Sequence, residues 1–232
     1  MSSSTDSANT PCPPALGAAA KWLLLALVVS HLVLAMLYAR ATPYRASGIL
    51  RLQGGGPAQD IGAPDERQHA NYVQRLLDGE GFPTFDPQDP NLYETYQSHQ
   101  PPLYYVLASG WARALGVSDV ADPASGTRLR AFSALLGAAT VAGAFLFAWW
   151  GWRREPVALF SAAFAAWLPM LTALDGAVGN DSLLIAVSTW TLAVLALGAR
   201  CGWTLGRSAT LALLVGAGFL TKTSALALVV PV

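Results

Sequence analysis

The chain has 232 residues, 53% of them hydrophobic and only 12% charged, with fourteen basic and fourteen acidic side chains in balance. Soluble globular domains carry about 25% charged residues, so this composition, with a mean hydropathy of +0.41, excludes an ordinary soluble fold and indicates a polytopic membrane protein. The zero net charge leaves no electrostatic footprint for nucleic acid.

Residues 1–14 are rich in Ser, Thr, Asn and Pro and read as a disordered cytoplasmic tail. The tail has no basic n-region, so no cleaved signal peptide is expected. Residues 15–232 read as the N-terminal part of a transmembrane domain. The run from Trp22 to Tyr38, with Lys21 before it, predicts a retained first span. His31 inside it reads as a packing residue. Cys12 and Cys201 suggest neither a disulfide framework nor a metal pair.

A polar stretch, 41–100, follows, within a predicted external loop of about 41–127 that holds ten of the fourteen acids. Loops this long carry function or are disordered. Residues 65–78 have helical patterning. Pro64 suits the first turn, Asp65 and Glu66 suit the positive end of the helix dipole, and Tyr72, Val73, Leu76 and Leu77 form a stripe. Gly79 and Gly81 end it. Residues 101–115 predict a second amphipathic helix, too short to cross and suited to the membrane surface, with Tyr104 and Tyr105 as interface aromatics.

Further spans are predicted at 129–150, 157–174, 182–199 and 209–232, the last containing Lys222. Arg153 and Arg154, and later Arg200 and Arg207, then share one side with the N-terminus. The positive-inside rule makes that side cytoplasmic and puts the acidic loop and Asn180-Asp181 outside. The expected fold class is all-α, a polytopic helical bundle with short amphipathic helices in its long first loop. A bacterial inner membrane is the expected location. The sequence stops inside an apolar run, at Val-Val-Pro-Val, and is expected to be part of a longer protein.

Four groups of residues suggest chemistry. On a helix, His69 shares a face with Asp65 and Glu66. The three could gather a proton, or a divalent cation such as Mg²⁺ or Mn²⁺, although two acids and a histidine are too few to assign a metal. Glu94 and His99-Gln100 precede Pro101-Pro102, which fix the direction of the following helix. Asn180 and Asp181 sit at a predicted hairpin tip, and Asp181 also suits a helix start. Lys222 lies in an apolar run, where an ammonium is costly and seeks a counter-charge.

Taken together, Pro64-Asp65-Glu66, His99-Gln100-Pro101-Pro102-Leu103-Tyr104-Tyr105, Gly179-Asn180-Asp181 and Leu220-Thr221-Lys222 resemble the GT-C superfamily of membrane glycosyltransferases. The resemblance is to the branch holding protein O-mannosyltransferases and lipid A aminoarabinose transferases (glycosyltransferase family 39-like), and it spans residues 20–225. It implies a polyprenyl-phosphate sugar donor in the lipid and an extracytoplasmic lipid, glycan or protein acceptor. It implies Asp65 as catalytic base with Glu66 beside it. His69, Glu94, His99, Gln100, Tyr104, Asn180, Asp181 and Lys222 are the expected substrate-binding residues. The aminoarabinose transferases have Glu-Lys before Pro-Pro, with the lysine on the donor phosphate. His99-Gln100 stand there in this chain, leaving the phosphate to His99, to Lys222 or to residues expected downstream of this sequence. The rival readings are a transporter or lipid-handling protein without covalent chemistry, favoured by buried ionisable groups in several spans, and a GT-C scaffold that binds donor without turnover.

Overall fold

The computed structural model describes Cys12, residues 15–45 and residues 65–229. The expected disorder of the tail and the place of Pro64 therefore lie outside the described residues. Among those described, every regular element is a helix. They are α1 (Ala18–Ala41), α2 (Glu66–Leu77), α3 (Leu92–Thr95), α4 (Leu103–Ala114), α5 (Pro123–Trp152), α6 (Glu155–Trp167), α7 (Pro169–Asp175), α8 (Asp181–Cys201) and α9 (Leu205–Phe219). Short 3₁₀ turns cover Tyr96–His99 and Thr223–Val229.

Three helices, α1, α5 and α8, are long and apolar enough to cross a membrane. The long α5 is the central post against which α1, α6 and α8 pack. Its start is set locally: Asp122 caps it by accepting from Ala124 N–H at 3.0 Å, and Pro123 occupies its first position. The lipid-type pattern is clearest on α6. Ala158, Ala162 and Ala166 recur every fourth residue and are fully buried, while Phe160 and Phe164 on the outer side are 73% and 63% exposed. A helix apolar on both faces, with small residues inward and large ones outward, is built for a hydrocarbon surrounding.

Two of the five predicted spans are not single straight helices among the described residues. The expected span 157–174 is broken into α6 and α7, which meet at 60°. Pro169 explains the break, because the residue before a proline is driven out of helical geometry, and Leu168 has ψ 114°. The bent pair is long enough to be at most a fourth span. The expected span 209–232 is, within the described residues, the 15-residue α9 followed by a turn and a 3₁₀ segment. At 1.5 Å per residue α9 covers about 22 Å, less than a bilayer core of about 30 Å. Its continuation is captured by tertiary bonds. The Leu220 carbonyl accepts from Leu103 N–H at 2.8 Å, and the Thr221 carbonyl accepts from the Asn180 amide at 3.1 Å.

One end of the bundle gathers the arginines. Gly17 N–H donates to Glu155 at 2.8 Å, which brings the start of α1 to the α5–α6 junction beside Arg153 and Arg154. Cys12 and Cys201, expected to be unpaired, are joined as a disulfide at this end. The fold brings together cysteines 189 positions apart, a pairing with no local signature. The opposite end carries α2, α3, α4 and the α7–α8 turn.

A second correction concerns the bundle interior. His31, expected only to pack, is fully buried and lies 2.9 Å from the equally buried Asp175. Its Nδ1–H donates to the Ala166 carbonyl at 3.0 Å. Gly137 on α5 makes room for the couple, since a Cβ there would collide with both side chains.

Candidate active site at the α2 end of the bundle

Glu66 is the anchor of this end. It forms a two-pronged ion pair with Arg130 of α5, Nε to Oε1 at 2.7 Å and Nη2 to Oε2 at 2.6 Å, and the side chains are 1% and 2% exposed. The backbone N–H groups of Val178 and Arg45 donate to the same carboxylate, at 2.9 and 3.1 Å. Arg130 in turn donates to the carbonyls of Ala39, Thr42 and Pro43. Glu66 was expected beside Asp65 as a reacting group. Its oxygens are instead spent on four donors, so it ties α1, α2, α5 and the α7–α8 turn together. A buried pair of this kind is tolerated because every lone pair and N–H is used.

Asp65, by contrast, precedes α2 without making a side-chain cap, and it is exposed. It lines a cleft of about 80 Å³ with Glu66, His69, Asp181 and the Ala177–Gly179 segment. His69 is 6% exposed, and its Nδ1 shares a 2.8 Å hydrogen bond with the Tyr105 hydroxyl. Burial is the main force lowering its pKa to about 3; Asp181 opposes the shift, and Lys222 and His99 add to it. His69 is therefore neutral at physiological pH. Lys222 Nζ donates to Asp181 Oδ1 at 2.7 Å, with side chains 28% and 40% exposed. The ammonium lies in the turn after α9 rather than along a helix. Asp181 is the counter-charge that the sequence left unidentified.

The Pro-Pro segment is stitched to the same turn. Gln100 donates to His99 Nε2 at 2.8 Å, and Gln100 Oε1 accepts from Asn180 Nδ2 at 3.1 Å. His99 Nδ1–H is spent on the Tyr96 carbonyl at 2.6 Å, so both ring nitrogens of His99 are occupied by protein partners. Asn180 is fully buried. It holds the Pro-Pro segment against the turn and does not reach a ligand directly. The two tyrosines are corrected as well: Tyr104 and Tyr105, expected at the membrane interface, are fully buried. Tyr104 accepts from Gly179 N–H at 3.0 Å and shares a bond with Ser133 at 3.0 Å. Burial pushes its phenol up to about 12. It supports the Ala177–Gly179 wall of the cleft and cannot meet substrate. Glu94 lies elsewhere, paired with Arg67 at 2.7 Å.

Asp65, His69, Asp181 and Lys222 thus come together, with His99, Gln100 and Asn180 as a supporting chain. Among the described residues no group of three His, Cys, Asp or Glu side chains could hold a metal ion, because Glu66 is turned away to Arg130. Sequence reasoning missed Arg130 and the His31–Asp175 couple. Arg130 carried one signal, a lone cation just inside an apolar run, the same oddity that flagged Lys222.

No family model, no curated protein and no solved structure matches the chain.

Proposed function

We propose that this chain belongs to a membrane glycosyltransferase that moves a sugar from a polyprenyl-phosphate donor to an extracytoplasmic acceptor. The observation that carries the reading is one cleft in which a carboxylate with no partner among the described residues, Asp65, shares walls with Asp181, whose partner is the ammonium of Lys222. Asp65 takes the proton from an acceptor hydroxyl or amine as that group attacks the anomeric carbon. The bond from that carbon to the phosphate oxygen breaks, and the lipid phosphate leaves with the electron pair. Lys222 spends one N–H on Asp181 and keeps two to meet the developing charge. Neutral His69 lines the cleft without adding charge.

The test is breakdown of radiolabelled polyprenyl-phosphate monosaccharides by the full protein in detergent. Asp65→Asn should slow transfer by about 100-fold or more, the usual worth of a positioned base, with an unchanged unfolding temperature. Lys222→Met should slow release of the lipid phosphate. Undiminished turnover in Asp65→Asn removes Asp65 from this role.

The His31–Asp175 couple favours a second reading, a proton-coupled transporter, because a buried ionisable pair among apolar helices is a common element of proton pathways. Proton uptake by proteoliposomes, lost in Asp175→Asn and independent of donor lipid, would support it.

A further inference from the structure

Tyr105 decides where the His69 imidazole keeps its proton. The Tyr105 ring is fully buried and is held on Tyr72, with ring centroids 3.7 Å apart and planes within 10°. Its hydroxyl meets His69 Nδ1 at 2.8 Å and no other group among the described residues. Two arrangements satisfy that contact. In one, the phenol donates to Nδ1, and the neutral imidazole carries its proton on Nε2. In the other, Nδ1–H donates, and the phenolic proton is left inside the protein without an acceptor. Buried donors of native proteins are nearly always paired, so the first arrangement holds.

Nε2 lies on the opposite edge of the ring. A side-chain carbon placed on Gly179 would stand 3.7 Å from His69 Cδ2 and 3.8 Å from Nε2, so this edge faces the Ala177–Gly179 wall of the cleft. Nε2 has no hydrogen-bond partner among the described residues, and it is not one of the buried side-chain atoms sealed off without a partner. The small part of His69 that stays accessible therefore includes this nitrogen. Of the other side chains lining the cleft, Asp65, Glu66 and Asp181 are acceptors, and Leu174, Ala177 and Val178 are apolar. His69 is the one donor among them. At about 80 Å³ the cleft is far smaller than the roughly 300–1,000 Å³ of sites that enclose a whole small molecule. It admits one functional group of a ligand that lies outside. A group that meets Nε2–H must bring a lone pair, which an ammonium lacks. A phosphate brings lone pairs together with a negative charge beside Asp65. Arg45, without an acid partner among the described residues, does not offset that charge: its guanidinium donates to Asn71 at 2.8 Å, about 200° round α2 from His69. A hydroxyl brings an uncharged lone pair, and its own proton suits a carboxylate.

We infer that Tyr105 fixes His69 as the Nε2–H tautomer, and that this N–H makes His69 the residue that recognises a hydroxyl oxygen in the cleft. On the transferase reading above, that hydroxyl belongs to the acceptor of the sugar. A hydroxyl oxygen has two lone pairs, so one accepts from His69 while the other attacks the anomeric carbon and the proton passes to Asp65. An amine has a single lone pair and cannot do both, which makes alcohols the acceptor class. That assignment rests on the transferase reading; the tautomer and the hydroxyl contact do not.

The test is magic-angle-spinning NMR of the full protein in lipid bilayers at neutral pH, with ¹⁵N-labelled histidine. The chain has three histidines, and His69→Gln identifies the signals of position 69. Nε2 of His69 should resonate as a protonated nitrogen and Nδ1 as an unprotonated, hydrogen-bonded one. Tyr105→Phe should take the hydrogen-bond shift away from Nδ1; the wild-type spectrum alone decides the tautomer, whether or not that variant folds. The probes are n-octanol, n-octyl phosphate and n-octylamine, which share a tail and differ in head group. Octanol should move the Nε2–H signal to lower field and saturate, and the charged probes should move it less. Gly179 is not one of the glycines with positive φ, so Gly179→Ala is accommodated and sets a methyl group beside Nε2. It should keep the tautomer and weaken octanol binding by about 3- to 10-fold, the ordinary worth of one neutral hydrogen bond. Glu155→Gln, at the opposite end of the bundle, should change neither signal. A proton on Nδ1 in the wild type overturns the inference. So does a cleft that holds water only and gives no response to octanol, a larger response to a charged probe, or octanol binding unchanged by Gly179→Ala. A proton on Nδ1 with intact donor breakdown would strike this inference and leave the transferase. The expected spectra without donor breakdown would leave a hydroxyl-binding cleft that performs no transfer.

Discussion

At the scale of single residues, His69 is where burial changes chemistry most visibly. Its pKa is lowered from 6.5 to about 3 in the folded chain. Between those values the unfolded chain binds a proton that the native state refuses, so acidification costs stability. Thermal unfolding should therefore show a loss below pH 6.5 that approaches about 1.4 kcal/mol per pH unit. His69→Gln should remove that part of the pH dependence and leave the rest. A wild-type curve flat from pH 7 to 5 would mean that His69 is solvated. The sequence made Asp65, Asp181 and Lys222 visible because each is a charge in an otherwise apolar or loop setting. It could not show which of two adjacent acids, Asp65 or Glu66, was free. That choice depends on Arg130, 64 positions away, and neighbouring positions in a sequence carry no record of such a partner.

Among the elements, the Glu66–Arg130 clip joins the end of α1, the start of α2, the first turns of α5 and the α7–α8 turn. Glu66→Gln leaves a buried guanidinium without its counter-charge, and we expect a loss of about 3–5 kcal/mol of stability. Replacing both residues at once, Glu66→Leu with Arg130→Met, should recover much of that loss, because no charge is then stranded. Thermal denaturation in detergent measures both, and a double variant no better than Glu66→Gln would mean that the bonds to Ala39, Thr42 and Pro43 matter more than the charge. The elements built by local periodicity were legible. The predicted helix 65–78 is α2, 101–115 contains α4, and 182–199 lies within α8. The end of α9 was not, since Leu220 and Thr221 read as a continuing apolar run until Leu103 and Asn180 claim their carbonyls. Pro169 did mark the break in 157–174, but a proline can kink a span without splitting it, and the 60° bend is a tertiary outcome.

For the whole molecule, the poles differ chemically. Arg153, Arg154, Arg200 and Arg207 collect at one, and the Asp65 cleft lies at the other. Two signals bear on which pole faces the cytoplasm. The arginine bias puts the basic pole inside, whereas the Cys12–Cys201 disulfide there is a bond more common in oxidising compartments. On the proposed orientation, with the basic pole inside, a membrane-impermeant thiol reagent should label a cysteine placed at position 65 from outside the cell and one at 154 only after permeabilisation. Labelling of position 65 from the cytosol alone would end the transferase proposal. The hydrogen bond from Leu103 to the Leu220 carbonyl also has a consequence in time. A ribosome delivers Asp65 long before it delivers Lys222, and the Lys222–Asp181 pair forms only after the turn that carries Lys222 is threaded back onto a segment already in place. On the proposed transferase reading, a nascent chain halted before that turn lacks the Lys222–Asp181 pair and turns over no donor.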